Sequence, residues 1–393
     1  MITDRLYTPT EMDSWLQQRQ RLSLLVAVGG AIGIIIGLMF DADHFFRSYL
    51  MSFLMCFALA LGCLSIQMLQ FLSGGKWGVS IERILEAASR TLPLVGVLFI
   101  PVIFGMHSLY PWTHADVVAA DEVLQHKHIY LNTPFFIIRA ILFFVIWAGG
   151  AWFLHKYAAD QYRRGNYVAV RRISAVGLVV YVFTLTFAAI DWAQSLQPHW
   201  YSTMWGFLFV AQQGLTAIPF VITAGVLLSR DESYSRLFTH ERLHDLGKLF
   251  LMFVMLWAYF SFAQFLIIWE GNLKEEIPWY FERMATSWGW IGVILIVLQF
   301  AVPFVILLSR PAKKNGFIML GLSGLVLLMR QIDLFWIVMP DQYRAGIQVH
   351  WLDIVTPIAL LALWHAAFIR EIRRRPLIPE GDPRLEAMLQ HVG

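Results

Sequence analysis

The chain has 393 residues, 58% of them hydrophobic and only 15% charged, with a mean hydropathy of +0.60 and a net charge of +3. Soluble domains carry about 25% charged residues, so a soluble globular protein is excluded, and a net charge this small argues against a nucleic-acid-binding surface. The two cysteines, Cys56 and Cys63, lie seven apart with no C-x-x-C, so the chain has no means of its own to hold a cysteine-ligated iron–sulfur cluster or a covalently attached haem.

Residues 1–21 are polar. Thr8, Pro9 and Glu11 read as N-cap, first and third positions of a short surface helix. No short apolar segment with a small-residue cleavage site precedes Leu22, so no cleavable signal is expected. Ten apolar runs follow, at about 22–40, 48–72, 91–109, 133–155, 173–194, 202–229, 249–269, 287–309, 316–338 and 351–369. Each is long enough to cross a hydrocarbon core. The expected fold is an all-α polytopic membrane protein with ten transmembrane helices. It divides into an N-terminal segment (1–21), a membrane domain (22–369) and a basic tail (370–393). Pro93, Pro101, Pro219, Pro303 and Pro357 fall inside runs, where neighbouring helices can satisfy the carbonyls they free.

Lysine and arginine alternate between the loops. Segments on one side hold 23 of the 30, those on the other hold 5, and Arg139 and Arg330 fall within runs. This bias places both termini in the cytoplasm and supports an even number of spans. The opposite side, poor in Lys and Arg, has two long loops, 110–132 and 270–286, on which water-soluble partners have room to dock.

The ionisable residues inside the runs gather toward that outer side. At 1.5 Å per residue, Arg139 lies about 9 Å inside its outer end, Asp191 about 5 Å, and Arg330 and Asp333 roughly 12 and 8 Å. Gln264 has a similar depth, and His107 sits near the outer end of the third run. A charge at such depth costs a few kcal/mol or more and calls for a partner. Arg330 and Asp333 are three apart on one helix and can pair; Arg139 and Asp191 lie on consecutive runs at one level. His107, Arg139 and Asp191, with Trp192 as a wall, have the chemistry of a quinone site: quinol oxidation releases two protons, which an imidazole and a carboxylate can accept. Gln264, Glu270, Arg330 and Asp333 form a second candidate set, an ion pair or proton path. The competing reading for both is structural, as staples between helices. His155 and His365 share an inner depth, but a bis-histidine haem reading has no second pair behind it. No metal site is expected.

The densest stretch is Phe260–Trp290, FSFAQFLIIWEGNLKEEIPWYFERMATSWGW. It crowds Glu270, Glu275, Glu276 and Glu282 into one short loop ringed by Trp269, Trp279, Tyr280, Trp288 and Trp290. A W-x(7–9)-W-Y pattern occurs there and again at Trp192 to Trp200-Tyr201. Together with Gln67–Pro93, Phe135–Arg139 and Thr186–Leu196, this stretch resembles the F-subunit family of alternative complex III, a bacterial quinol:cytochrome c oxidoreductase, within the wider NrfD/PsrC-like group of quinone-site membrane subunits. Lys274 stands where that family often has proline. The resemblance covers essentially the whole chain. It implies two four-helix bundles (spans 2–5 and 6–9) flanked by spans 1 and 10, in a bacterial inner membrane. It implies no redox cofactor in this chain, with haem c and iron–sulfur clusters in partner subunits. Those partners would be multihaem and monohaem cytochromes c, an iron–sulfur subunit and a homologous ten-span subunit; a terminal oxidase is a further partner it allows. Quinone binding, proton conduction and a purely structural role are all compatible with it, and a secondary transporter is the alternative from another class.

Overall fold

The computed structural model describes residues 10–164 and 167–377; the Thr8-Pro9 cap and the end of the basic tail lie outside them. Every described element is helical. Ten helices are long and apolar enough to cross a membrane: Met12–Phe40, Ala42–Ser73, Lys76–Phe104, Thr133–Ala159, Val168–Leu196, Trp205–Leu228, His240–Gly271, Trp288–Leu308, Gly316–Val338 and Leu352–Arg373, here spans 1 to 10. The chain is therefore a multi-pass membrane protein, as its composition requires.

Several spans start earlier than hydropathy suggests. Span 3 begins at Lys76 with an amphipathic helix, Lys76–Ser89, that buries Arg83 and Glu82. It then breaks into Leu92–Leu98, Ile100–Phe104 and Met106–Leu109. Pro93 and Pro101 open two of these pieces, each supplying a preset φ and no N–H to lose.

Span 2 is buried along its whole length and span 6 nearly so, whereas span 1 is mostly exposed. Span 2 packs on spans 3, 5, 6, 9 and 10; span 6 packs on 2, 5, 7 and 9. These two helices form the axis of the molecule, and they cross at Gly62. A Cβ there would lie 2.6 Å from the Gln213 carbonyl oxygen, so only glycine admits this approach. Span 1 uses the same device against span 10. Cβ atoms on Gly30 and Gly37 would meet Ala359 and Leu352 at 2.4 and 2.3 Å.

The loops after odd-numbered spans knit into one layer. Lys127 donates to the Pro198 carbonyl (2.5 Å), Trp200 to the Glu276 carbonyl (3.1 Å) and Trp288 to the Tyr343 carbonyl (2.8 Å). Loops after even-numbered spans, with the two ends, form the other layer, where Tyr234 donates to the Ser80 carbonyl (2.7 Å) and Arg375 pairs with Glu86 (2.8 Å). Among the described residues, these contacts gather the loops after odd-numbered spans at one end of the bundle and those after even-numbered spans at the other.

Candidate functional site

Two arginine–aspartate pairs lie buried in the layer that is poor in Lys and Arg. The first joins spans 4 and 5. Arg139 Nε donates to Asp191 Oδ2 at 2.7 Å and an Arg139 terminal nitrogen to Oδ1 at 2.9 Å. The other terminal nitrogen donates to the Tyr130 carbonyl at 2.9 Å. The rings of Tyr130 and Phe135 lie 3.8 and 4.3 Å from the guanidinium carbon. Both carboxylate oxygens and all three guanidinium nitrogens are engaged, which is the fork geometry a buried pair needs.

Trp192, next to Asp191, is buried in a cage of aromatic rings. Phe99, Phe57, Phe53, Phe144 and Trp147 have centroids 4.7 to 5.9 Å away. Its backbone carbonyl accepts from the Tyr110 hydroxyl at 3.1 Å, but its indole N–H has no hydrogen-bond partner among the described residues. His107 is not brought to this pair. It is exposed and stacks on His114 at 3.7 Å, and among the described residues it hydrogen-bonds to neither Arg139 nor Asp191. The reason lies in the broken end of span 3. The turn at Gly105 and Met106–Leu109 directs Tyr110 inward and His107 outward.

The second pair sits on span 9. Arg330 and Asp333 bond directly, three residues apart. Asp333 Oδ2 accepts in addition from Gln212 Nε2 of span 6, Trp257 Nε1 of span 7 and Gln299 Nε2 of span 8, each at 3.2 Å. Arg330 Nε donates to Thr216 Oγ1 at 3.2 Å. Four helices thus converge on one carboxylate oxygen. Gln299 reaches it from a π-helical segment, Leu295–Ala301. Pro303 explains that segment: lacking an N–H and crowding the carbonyl four residues back, on Gln299 itself, it opens the turn. Such π segments recur at functional sites. The side-chain oxygens of Gln212, Gln213 and Gln299 are buried with no donor among the described residues. A polar centre with acceptors left over is where internal water binds.

Gln264 and Glu270 are not part of this centre. Gln264 is buried higher up, accepting from Ser202 Oγ (3.1 Å) and donating to the Tyr280 hydroxyl (3.2 Å). Glu270 is exposed near the end of span 7. His155 and His365 do not face one another either: His155 Nε2 meets Gln67 Oε1 and Ser89 Oγ at 3.0 and 3.1 Å, while His365 Nδ1 meets Ser23 Oγ at 2.8 Å. Cys56 and Cys63 are buried, free thiols. Among the described residues no group of three or more His, Cys, Asp or Glu is placed to hold a metal ion.

Sequence reasoning passed over three features. Buried His44 bridges Tyr343 Oη (2.5 Å) and Asp353 Oδ1 (2.8 Å), and Ser48 Oγ donates to the same Asp353 oxygen, locking spans 2 and 10 to the 339–351 loop. Buried Arg283 stacks 3.7 Å over Trp279 and donates to the carbonyls of Trp279 (2.9 Å), Trp336 and Ile337 (both 3.3 Å), capping the end of span 9. Burial pushes its pKa down to about 9. Last, the two W-x(7–9)-W-Y motifs meet: Trp200 stacks on Trp279 at 4.9 Å. The repeated pattern was the one available signal for that contact.

The chain matches no family model and no curated protein.

Proposed function

We propose that this chain is an integral membrane subunit of a bacterial quinol:cytochrome c oxidoreductase of the alternative complex III type, and that its own chemistry is proton handling at Arg330–Asp333. The local motifs around Gln264–Tyr280 and Thr186–Tyr201 support the first half of this reading. The observation that carries the second half is the convergence of four spans on Asp333 Oδ2 beside unpaired amide oxygens. An intramembrane carboxylate is costly and is kept where protons or ions move. Haem c and iron–sulfur centres belong, on this reading, to the partner cytochromes and the iron–sulfur subunit, with a homologous ten-span subunit as companion in the inner membrane.

A quinone contact on the outer side is a second reading. What favours it is the Trp192 indole N–H, buried beside Asp191 without an acceptor among the described residues; a quinone carbonyl is an acceptor of that kind. Arg139 and Asp191 would then position the ring rather than exchange its protons, because the guanidinium fork already holds both carboxylate oxygens.

Gentle purification with mass spectrometry and a reduced-minus-oxidised spectrum tests the complex. Co-purifying multihaem cytochrome c and an iron–sulfur subunit is the expected result; a chain that runs alone without haem absorbance would sink the oxidoreductase reading and raise a secondary transporter. Within an intact complex, Asp333→Asn is expected to cut proton-coupled turnover, whereas Trp192→Phe reports on the quinone reading through the apparent KM for quinol.

A further inference from the structure

Between the basic halves of spans 1, 2, 6 and 10 lies a half-enclosed slot of about 420 Å³. This volume is within the range of small-ligand sites. Its walls are apolar, including Leu59, Phe220, Leu361 and Trp364, with Trp364 edge-on to Phe220 at 5.1 Å. Its rim carries two arginines, Arg19 of span 1 and Arg230 just beyond span 6. Both are exposed, and neither forms an ion pair with a carboxylate among the described residues. Their neighbours differ: Arg373 is spent on Asp13 (2.7 Å) and Arg375 on Glu86 (2.8 Å). From Arg230 to Phe220 is ten residues, about 15 Å along a helix. That is half of a hydrocarbon core of about 30 Å, the depth of one leaflet.

Span 1 is held so that the slot stays open. The Asp13–Arg373 pair and a Gln20–Arg373 bond (2.9 Å) strut it against span 10 at the basic end, and the glycine ridge at Gly30 to Gly37 sets the spacing further along. Free guanidiniums at headgroup level above an apolar, leaflet-deep slot match one class of ligand.

We propose that this slot binds one anionic phospholipid, with an acyl chain between spans 1, 6 and 10 and the phosphate between Arg19 and Arg230. Arginine offers phosphate a forked pair of donors. The basic side is also the side on which anionic lipid concentrates. The Trp15 ring beneath Arg19 (5.4 Å) keeps that guanidinium at the interface. A quinone fits the chemistry less well, since His365 Nδ1 on the slot wall is already bonded to Ser23.

The test uses the full chain in bilayers of phosphatidylcholine and phosphatidylglycerol, then detergent delipidation and native mass spectrometry. One phosphatidylglycerol is expected to stay on the wild type. The Arg19→Gln/Arg230→Gln variant should retain it roughly thirtyfold less, since each cation near the surface is worth about one factor of five. Leu361→Trp, which fills the slot and leaves both arginines, should also lose the lipid. Arg236→Gln, which removes an arginine already paired with Glu232, should keep it. Equal retention of phosphatidylcholine, a double arginine variant that holds lipid as the wild type does, or a retained quinone in place of lipid would each overturn the proposal. Thermal unfolding in lipid-free detergent checks folding; if Leu361→Trp fails there, the arginine variant decides alone.

Discussion

Arg139–Asp191 and Arg330–Asp333 are the same pair of side chains held in two ways. The first spans two helices and is closed. One guanidinium takes both carboxylate oxygens, a loop carbonyl takes the remaining nitrogen, and two rings cover the face. The second is formed within one helix and is crowded on one side. A single oxygen of Asp333 collects Arg330, two amides and an indole, while the oxygens of those amides go unpaired. Burial and charge are alike in the two places. What separates a staple from a reactive centre is the balance of donors and acceptors around it: the groups left over beside the first pair are a lone indole N–H and a phenol hydroxyl, whereas those beside the second are amide oxygens able to accept a proton carrier's hydrogen bonds.

Breaking the closed pair carries the largest expected effect. Arg139→Ala leaves Asp191 buried with its donors removed and should cost about 3–5 kcal/mol, the usual penalty for an orphaned buried charge. Thermal unfolding in detergent would show it as a lower midpoint and a poor folded yield. An Arg139→Ala protein as stable as the wild type would mean that water reaches Asp191 and that the site is open after all.

Replacing each pair as a unit comes next and bears most directly on the contrast. Apolar substitution of both partners often preserves stability to within a few kcal/mol. Arg139→Met with Asp191→Leu should therefore recover most of the loss and leave turnover of the assembled complex near the wild-type rate. Arg330→Met with Asp333→Leu should fold and assemble but stop proton-coupled turnover. If the two double variants behave alike, the distinction between staple and reactive centre fails.

A smaller effect isolates the unpaired amides. Gln299→Leu removes one donor to Asp333 together with one buried orphan oxygen, so its net cost should be about 1 kcal/mol or less. Turnover should nonetheless fall, because the amide oxygen carried by the π segment is gone. Gln299→Asn, which keeps an amide with both its oxygen and its N–H donor, should retain more activity than Gln299→Leu in the same assay.

How much of this could be read from the sequence follows from what a linear pattern encodes. A charge in an apolar run stands out, so Arg139, Asp191, Arg330 and Asp333 were all visible, and consecutive runs at one depth suggested the Arg139–Asp191 contact. Depth counting places His107 near the outer end of span 3 but is silent on which way it faces, and the breaks at Pro93, Pro101 and Gly105 turn it outward. Trp257 looks purely apolar in a hydropathy scan, so its N–H on Asp333 is invisible there. The π turn at Gln299 depends on how Pro303 is accommodated by neighbours, which no local pattern states. His44 and Asp353 lie 309 residues apart at the ends of two spans, where His and Asp are ordinary.

The smallest predicted effect concerns the loop that covers the closed pair. Residues 110–132 supply Tyr130 to Arg139, and they are tied to the 195–204 loop by Lys127 and by an Asp121–His199 contact of 2.7 Å. Desolvation acts to raise the Asp121 carboxyl, but the amide N–H groups of Leu124 and Val123 and the His199 imidazole outweigh it and hold it below the usual carboxylate range. A depressed pKa in the folded state means the tie contributes above the unfolded-state value of about 3.9 and is lost as pH falls through the folded one. Amide exchange over 122–127 should accordingly show protection at neutral pH that fades in acid, while Asp121→Asn shows the weaker protection at both. Because the tie is exposed, the loop should loosen without unfolding spans 4 and 5: the guanidinium fork on Asp191 remains in place, and the core amides of those spans should keep their protection in the same experiment. Loss of core protection together with the loop would mean that the cover, and not the ion pair, is what closes the first site.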